Sequence, residues 1–238
     1  MNARQGFIGQ SVERREDSRF LTGKGQYTDD ITLPGQTHAF FLRSPYAHAR
    51  ITAIDTSAAA KAPGVVGILT GDHFKAVGGL PCGWLINSLD GQPMKEPKHP
   101  VLADGKVRYV GDRVALVVAE TLEQAEAAAG LIQVDYEELT PVVDAVTAPT
   151  IGSAVHDDVT DNRVYQWGIG DKDGTAAAMA GAAHVTTLSY RNNRLIPNAM
   201  EPRCANASYD VNADNYTLYV SNQNPHVERL LMCAFVLG

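Results

Sequence analysis

The stretch VRYVGDRVALVVAETLEQAEAAAGLIQVDYEEL, residues 107–139, has the clearest secondary-structure pattern in the chain. Its first part, residues 107–120, is rich in β-branched residues and becomes apolar on both faces in its second half. This pattern predicts a buried β-hairpin or bent strand with Gly111 and Asp112 at its middle.

A helix and a returning strand follow within the same stretch. Thr121 and Gln124 have the spacing of a capping box, in which each side chain bonds the other residue's backbone N–H. One face of the predicted helix is apolar and contains Leu122, Ala125, Ala129 and Ile132. Residues 134–139 predict the next strand, and a strand–helix–strand unit indicates an α/β or α+β domain.

Shorter β-rich segments precede this stretch. Strands are predicted at residues 37–44, 49–55 and 64–70, and the Gly- and Pro-rich residues 71–106 predict a long loop. Loops of this length are often functional, so a small-molecule site there is one hypothesis. Residues 1–19 are polar and mixed in charge and are expected to form an N-terminal arm before a domain at residues 20–138.

A change in composition follows that domain. Residues 139–160 mix Pro, Gly and small residues, which predicts a linker, and residues 161–238 form a second segment. Its predicted elements are an Ala-rich helix at 173–183, strands at 184–192, 205–210 and 216–223, and a final helix with Asn224 as N-cap and Pro225 in its first turn. The final helix is apolar over much of its circumference, so we expect a partner chain or further structure to cover it.

Composition excludes several classes of protein. A chain of 238 residues with 45% hydrophobic residues has enough apolar side chains to fold, and a net charge of −7 argues against nucleic-acid binding. The three cysteines, Cys82, Cys204 and Cys233, are too few for an iron–sulfur cluster and indicate a reducing compartment. No apolar run is long enough for a membrane span or an export signal, so we expect a cytoplasmic protein.

One charged segment lies among apolar residues. In NRLIPNAMEPR, residues 193–203, two prolines frame Glu201 and Arg203. A rigid loop of this kind can hold a polar site, and it can equally hold an intrachain Glu201–Arg203 pair that closes a turn.

Four motifs together resemble a known family. The motifs are RFLTGKGQYTDDITLPGQTHAFFLRSPYAHARI, RYVGDRVALVVAETLEQAEAAAGLIQVDYEEL, IPNAMEPR and SNQNPHVERLLMCAFVLG. They are similar to the molybdopterin-binding large subunit of the xanthine dehydrogenase and aldehyde oxidase superfamily, most of all to its carbon monoxide dehydrogenase branch. They occur in the family's order, which makes the likeness specific. The resemblance implies an α+β protein: an α/β-hammerhead domain at residues 20–138 and the beginning of a molybdopterin-binding domain at residues 161–238.

The resemblance also implies a function. Members of the family oxidatively hydroxylate an electron-poor carbon at a molybdenum centre, and their electrons leave through [2Fe–2S] clusters and FAD on partner subunits. Gln223 in SNQNPH matches the glutamine whose amide approaches the apical oxygen of molybdenum. Glu201 in MEPR matches a motif near the substrate channel, with a structural or channel-lining role.

Other family features have no counterpart in the sequence. The glycine-rich GGFG-type segment, the second domain with the catalytic glutamate and the cysteine-bearing loop of the carbon monoxide branch do not occur in it. We therefore expect the N-terminal portion of an oxidoreductase large subunit that alone binds no molybdenum and turns over no substrate. It would associate through residues 225–237 with itself or with a complementing chain. The partners that the resemblance implies are the remaining molybdopterin-binding region, an FAD subunit and an iron–sulfur subunit. The alternative is a non-catalytic interaction or scaffold module with the hammerhead fold.

Overall fold

The protein is described by a computed structural model over residues 8–77 and 79–237. Two units can be distinguished by their contacts. Among the described residues, one unit comprises 8–35 and 193–223, and the other comprises 36–77, 79–192 and 224–237. Both units are discontinuous in sequence. The smaller one, 8–35 with 193–223, joins two segments that are far apart in the chain and is termed the discontinuous unit. The predicted arm at residues 1–19 falls outside the described residues over its first seven positions.

The helices and strands are short and mixed in order, as expected for an α+β chain. In chain order they are α1 (Asp17–Leu21), β1 (His38–Arg43), β2 (Ala49–Asp55), β3 (Val65–Thr70), β4 (Lys106–Val107), β5 (Arg113–Ala119), α2 (Leu122–Ala129), β6 (Gln133–Glu138), α3 (Lys172–Ala180), β7 (Ala205–Asp210), β8 (Asn215–Val220) and α4 (Pro225–Leu231). Single 3₁₀ turns occur at Thr28–Asp30, Ala59–Lys61 and Gly71–Phe74, and a π-helical turn, Met232–Leu237, follows α4.

The larger unit contains two antiparallel sheets of three strands each. The first sheet has the order β1-β5-β3, and the second has the order β4-β2-β6. β4 and β5 therefore belong to different sheets, so the predicted hairpin or bent strand over residues 107–120 is wrong. The turn at Gly111 and Asp112 instead passes the chain from one sheet to the other, and Asp112 holds it by accepting the Arg108 backbone N–H at 3.0 Å.

The main core lies between β5 and α2. β5 is the central strand of its sheet and is buried at Val117 and Ala119, which pack against Ala125 and Ala128 of the helix. Small helical residues allow the helix to approach the sheet closely. The capping box is confirmed, with Gln124 N–H donating to Thr121 Oγ1 at 3.2 Å and Thr121 N–H donating to Gln124 Oε1 at 3.0 Å.

The predicted apolar face of α2 needs one correction. Ala125, Ala129 and Ile132 are buried, but Leu122 is nearly half exposed, and Ala128 occupies the core instead. Leu122 is the first residue of the helix. Side chains lean toward the helix N-terminus, so a side chain in the first turn extends beyond the sheet that the later turns cover.

Residues 139–163 belong to the larger unit and are attached to the rest of it by side-chain contacts. Lys106, buried at the start of β4, donates to Asp157 at 2.6 Å. Asn162 has a left-handed backbone with φ of 55°, and its amide donates to the carbonyls of Ala148 and Ser153 while its Oδ1 accepts the Val155 N–H. Val159 is 2% exposed. The segment predicted as a linker is thus anchored by specific contacts.

Beyond residue 163 the predictions are only partly met. The helix and the strands β7 and β8 occur as expected, and β7 pairs with β8 from Ala205↔Val220 to Asp210↔Asn215. Residues 184–192 were predicted as a strand and form none. A strand needs a hydrogen-bonding partner, and none of the described residues pairs with this segment.

The final helix is also shorter than predicted. α4 begins with Pro225 and ends at Leu231, and the π-helical turn follows it directly.

Among the helices of the described residues, none has the length and apolar character that a membrane span requires.

Candidate functional site

The Glu201 carboxylate is the centre of a hydrogen-bond network in the discontinuous unit. Glu201 lies in a bend just before β7, where Pro202 limits the backbone. Its Oε1 accepts the backbone N–H of Thr28 at 3.1 Å and the Thr28 hydroxyl at 3.3 Å. The Ser221 hydroxyl lies 3.4 Å from the Thr28 hydroxyl and also acts to lower the pKa of the Glu201 carboxyl. One side chain thus connects a turn near residue 28 with the residue that follows β8.

These donors favour the ionised form of Glu201. The Thr28 backbone N–H lowers the pKa of the carboxyl most, and the hydroxyls of Ser221 and Thr28 lower it further, while partial burial opposes them. Hydrogen bonds donated to a carboxylate stabilise its charge. Glu201 is therefore a fixed negative charge at neutral pH.

The 3₁₀ turn at Thr28–Asp30 is held by neighbouring side chains. Asp30 closes it by accepting the Tyr27 N–H at 2.8 Å. Asn206 of β7 donates to the Ile31 carbonyl at 2.7 Å, and the Cys204 thiol lies 3.6 Å from an oxygen of Asp29. The turn is thus fixed to β7 at several points, and Thr28 presents its donors to Glu201 from a defined backbone.

Sequence reasoning singled out Glu201 but suggested Arg203 as its partner. Among the described residues no ion pair joins the two, because the donors of Thr28 and Ser221 occupy the carboxylate. Thr28 had no local signal in the sequence, since it lies 173 positions before Glu201.

Gln223 lies two residues after Ser221, between the end of β8 and the start of α4. Its side chain is exposed, and no hydrogen bond to it is found within the described residues. A neutral amide offers two N–H donors without adding charge. An exposed amide of this kind can donate to the oxygen atoms of a bound ligand.

The cysteines offer no alternative centre. Burial, followed by the contact with Asp29, raises the pKa of the Cys204 thiol, which makes it less reactive. Cys82 and Cys233 are exposed free thiols. In the described ranges, no three His, Cys, Asp or Glu side chains come together as metal ligands.

The long loop at residues 71–106 has its own structure. Residues 87 and 93 form a β-bridge, and the backbone amides of Leu89 and Lys95 donate to the carbonyls of Gln166 and Val164 at 2.8 and 2.9 Å. These contacts attach the loop to the segment just after residue 163.

A cavity of about 300 Å³ lies between β2, β3 and the two ends of this loop. Much of its polar lining is already paired within the protein. The Thr52 hydroxyl donates to the Asp135 carbonyl, the Thr70 N–H donates to His73 Nδ1, and Asp72 pairs with Lys75. The cavity therefore gives little support to a small-molecule site in the loop.

Two family models match the chain in sequence order. The one described as "Aldehyde oxidase and xanthine dehydrogenase, a/b hammerhead domain" matches residues 22–140. The one described as "Molybdopterin cofactor-binding domain" matches residues 155–238, which include Glu201 and Gln223.

Curated proteins with similar sequences are large subunits. The chain is 38% identical to the nicotine 6-hydroxylase large subunit of Paenarthrobacter nicotinovorans, over 96% of its own length and 28% of that protein. It is 36% identical to the carbon monoxide dehydrogenase large chain of Afipia carboxidovorans, over 94% and 28%. The chain thus spans 28% of the length of these relatives.

A solved structure has the same fold. Quinoline 2-oxidoreductase from Pseudomonas putida 86 superposes with a TM-score of 0.89 at 34% identity, covering 98% of this chain and 29% of that one.

Proposed function

The chain belongs to the aldehyde oxidase and xanthine dehydrogenase family, and we propose that it forms the N-terminal portion of the large subunit of a molybdenum-dependent oxidoreductase. The observation that carries this proposal is the position of Gln223. A free amide donor lies in the part of the chain that matches the molybdopterin cofactor-binding domain. The hammerhead domain would occupy residues 20–138, with an arm at 1–19, a linker at 139–160 and the cofactor-binding portion at 161–238.

Gln223 is the residue of this chain that would hold the cofactor, by donating an amide N–H to it. When bound, the molybdenum cofactor supplies the oxidative hydroxylation chemistry of an electron-poor carbon. Glu201 would support the site as a fixed anion that organises Thr28 and Ser221. The cofactor supplies the difficult chemistry in enzymes of this kind, and the protein orients it.

The partners follow from the type of enzyme. The names of the relatives describe large subunits or chains, so we propose a complex with an FAD subunit and an iron–sulfur subunit. The remaining molybdopterin-binding region would cover the exposed apolar residues of α4 and the π-helical turn, which include Leu230 and Phe235. The acidic composition and the free cysteines support a cytoplasmic location.

Purification of the native complex through a tag on this chain tests the proposal. We expect molybdenum, iron and FAD to co-purify with the chain, and the complex to reduce a dye with at least one substrate from a panel of nicotine, quinoline, carbon monoxide and aldehydes. The panel follows the substrates in the names of the relatives. A complex with neither metal nor flavin would instead identify a scaffold module.

Gln223→Ala provides the residue-level test in the same complex. We expect kcat to fall while the molybdenum content and the subunit composition stay the same, because the substitution removes one hydrogen bond to the cofactor and leaves the assembly intact. Ser208→Ala on the exposed face of β7 is the matched control. Unchanged kcat in Gln223→Ala would remove Gln223 from the site.

A further inference from the structure

Glu201 connects two segments that are distant in sequence, and one of them carries Gln223. Thr28 donates its N–H and its hydroxyl to the carboxylate, and the Ser221 hydroxyl oxygen lies 3.4 Å from that of Thr28. Ser221 is the first residue after β8, and Gln223 follows two positions later. Two residues span at most about 7 Å of backbone, so a shift of Ser221 moves Gln223 as well.

We infer that Glu201 is a positioning residue for Gln223, acting by holding Ser221 against Thr28. The inference rests on the proposed cofactor-binding role of Gln223 and adds a residue that determines where its amide lies. The Gln223 side chain has no hydrogen bond in the described residues, so its position depends on its backbone. β8 ends at Val220, and the contact of the Ser221 hydroxyl with the Thr28 hydroxyl, 3.4 Å apart, is the first side-chain contact after the sheet; Glu201 holds that Thr28 hydroxyl in place.

The three donors explain why the residue is a carboxylate. A carboxylate only accepts hydrogen bonds, and its two oxygens have capacity for all the donors of Thr28 and Ser221. A glutamine in its place would accept the Thr28 N–H with its carbonyl oxygen, but it lacks the negative charge that strengthens hydrogen bonds to a carboxylate. Glu201→Gln therefore preserves shape and volume while it weakens the network.

Backbone order in the 238-residue chain tests the inference without any cofactor. Rigid backbone has NMR order parameters of about 0.85, and flexible backbone falls below about 0.6. We expect the order parameters of Ser221, Asn222 and Gln223 to fall toward the flexible range in Glu201→Ala, and to fall less in Glu201→Gln and Ser221→Ala. The control Ser208→Ala should leave them unchanged.

Folding is checked in the same spectra by the amide dispersion of β5, which lies in the other unit. Glu201→Gln keeps the test valid if Glu201→Ala does not fold. Order parameters at residues 221–223 that stay at the wild-type value in both Glu201 variants would overturn the inference.

Kinetics in the native complex separates positioning from general stability. Loss of a residue that orients a cofactor contact typically costs about 10–100-fold in activity. We expect Glu201→Gln to lower kcat by about this factor with little change in KM or molybdenum content. In the double variant with Gln223→Ala, the loss should equal that of Gln223→Ala alone, because Glu201 acts through Gln223.

The outcomes distinguish this inference from the proposed function. Losses that multiply in the double variant would show that Glu201 acts elsewhere and would overturn the inference. Wild-type kcat in Gln223→Ala would instead overturn the proposed function. Unchanged order parameters with a slow Gln223→Ala enzyme would remove only the positioning role.

Discussion

Thr28 donates both its backbone N–H and its hydroxyl to one oxygen of Glu201, which lies 173 residues further along the chain. The contact joins the two sequence segments of the discontinuous unit. Because the Thr28 N–H lowers the pKa of Glu201, that pKa reports whether the two segments are in contact.

The pKa of Glu201 should respond to Thr28. Tyr27 has an extended backbone, so Thr28→Pro is compatible with the turn and removes the N–H donor together with the hydroxyl, whereas Thr28→Ala removes only the hydroxyl. The backbone N–H lowers the pKa most. We therefore expect a larger upward shift in Thr28→Pro than in Thr28→Ala, measured by NMR titration of the Glu201 carboxyl carbon. Equal shifts would contradict this ranking.

The same contact makes stability depend on pH. The folded-state pKa of Glu201 lies below the unfolded value of about 4.3, so its ionised form contributes stability above that pH. This contribution should disappear as the pH falls through the folded-state pKa. Urea unfolding followed at Tyr209 and Tyr216 should show a smaller acid destabilisation in Glu201→Gln than in the wild type, and parallel pH curves would exclude the effect.

Leu102 should stabilise the long loop at residues 71–106. It is 1% exposed, so Leu102→Ala should cost about 2–5 kcal/mol through lost burial and a residual cavity. Leu89 in the same loop is 69% exposed, and Leu89→Ala should change stability by about 0.5 kcal/mol or less. The free energy of unfolding in urea measures both, and similar values would mean that the loop is not anchored at Leu102.

The loss of stability on breaking the Lys106–Asp157 pair should depend on which partner is removed. The side chain of Lys106 is 9% exposed and that of Asp157 is 81% exposed. Asp157→Ala leaves a buried ammonium unpaired and should cost about 1–3 kcal/mol, whereas Lys106→Met removes the buried charge itself and should cost less.

The exposed pair Lys95–Asp161 is the control, since Lys95→Met should cost at most about 1 kcal/mol. The denaturant concentrations at the unfolding midpoints rank the variants by stability. A Lys106→Met variant less stable than Asp157→Ala would contradict the argument.

Gly64 should tolerate alanine poorly. It has a φ of 75°, and an added Cβ would collide with the Gln124 amide that closes the capping box of α2. Gly91 has a similar φ of 79° with open space around it, so Gly91→Ala pays only the backbone strain of about 1–2 kcal/mol. Gly64→Ala should cost about 1 kcal/mol more, because the cap is lost as well. Thermal unfolding of the two variants gives the difference.

The apolar face of α4 should govern association. Leu230 is 63% exposed, so Leu230→Asp should weaken binding of the chain to the remaining molybdopterin-binding region or to itself. Arg229→Ala on the same helix is the control. Sedimentation of mixtures measures the association, and equal binding by both variants would place the interface elsewhere.

The sequence predicted correctly those elements that depend on residues close to one another in the chain. The capping box of Thr121 and Gln124, the strand in the second half of residues 107–120, and the strands β7 and β8 all follow from residue type and spacing. Pairing across the sequence was harder to predict. Gly111 and Asp112 look like a hairpin turn, yet Val107 pairs with Ala49 rather than with β5. Residues 184–192 have strand composition but no partner among the described residues.

The residues of the candidate site show the same difference between what neighbours in the sequence predict and what only long-range contacts create. Glu201 and Gln223 could be selected from the sequence, because each lies in a short motif, MEPR and SNQNPH, that resembles a family motif. Thr28 could not, since its role comes from a contact that only the folded chain creates. The supposed Arg203 partner was chosen because it is a neighbour in sequence, whereas the actual donors come from residues far before and after Glu201.

The contact between Thr28 and Ser221 can form only late in the synthesis of the chain. The two residues are 193 positions apart, and a ribosome adds about 5–20 residues per second. Thr28 is therefore added to the chain roughly 10–40 s before Ser221. During that interval the sheets built from residues 36–138 can already fold, while the N-terminal segment waits for its partner and is open to chaperones and proteases.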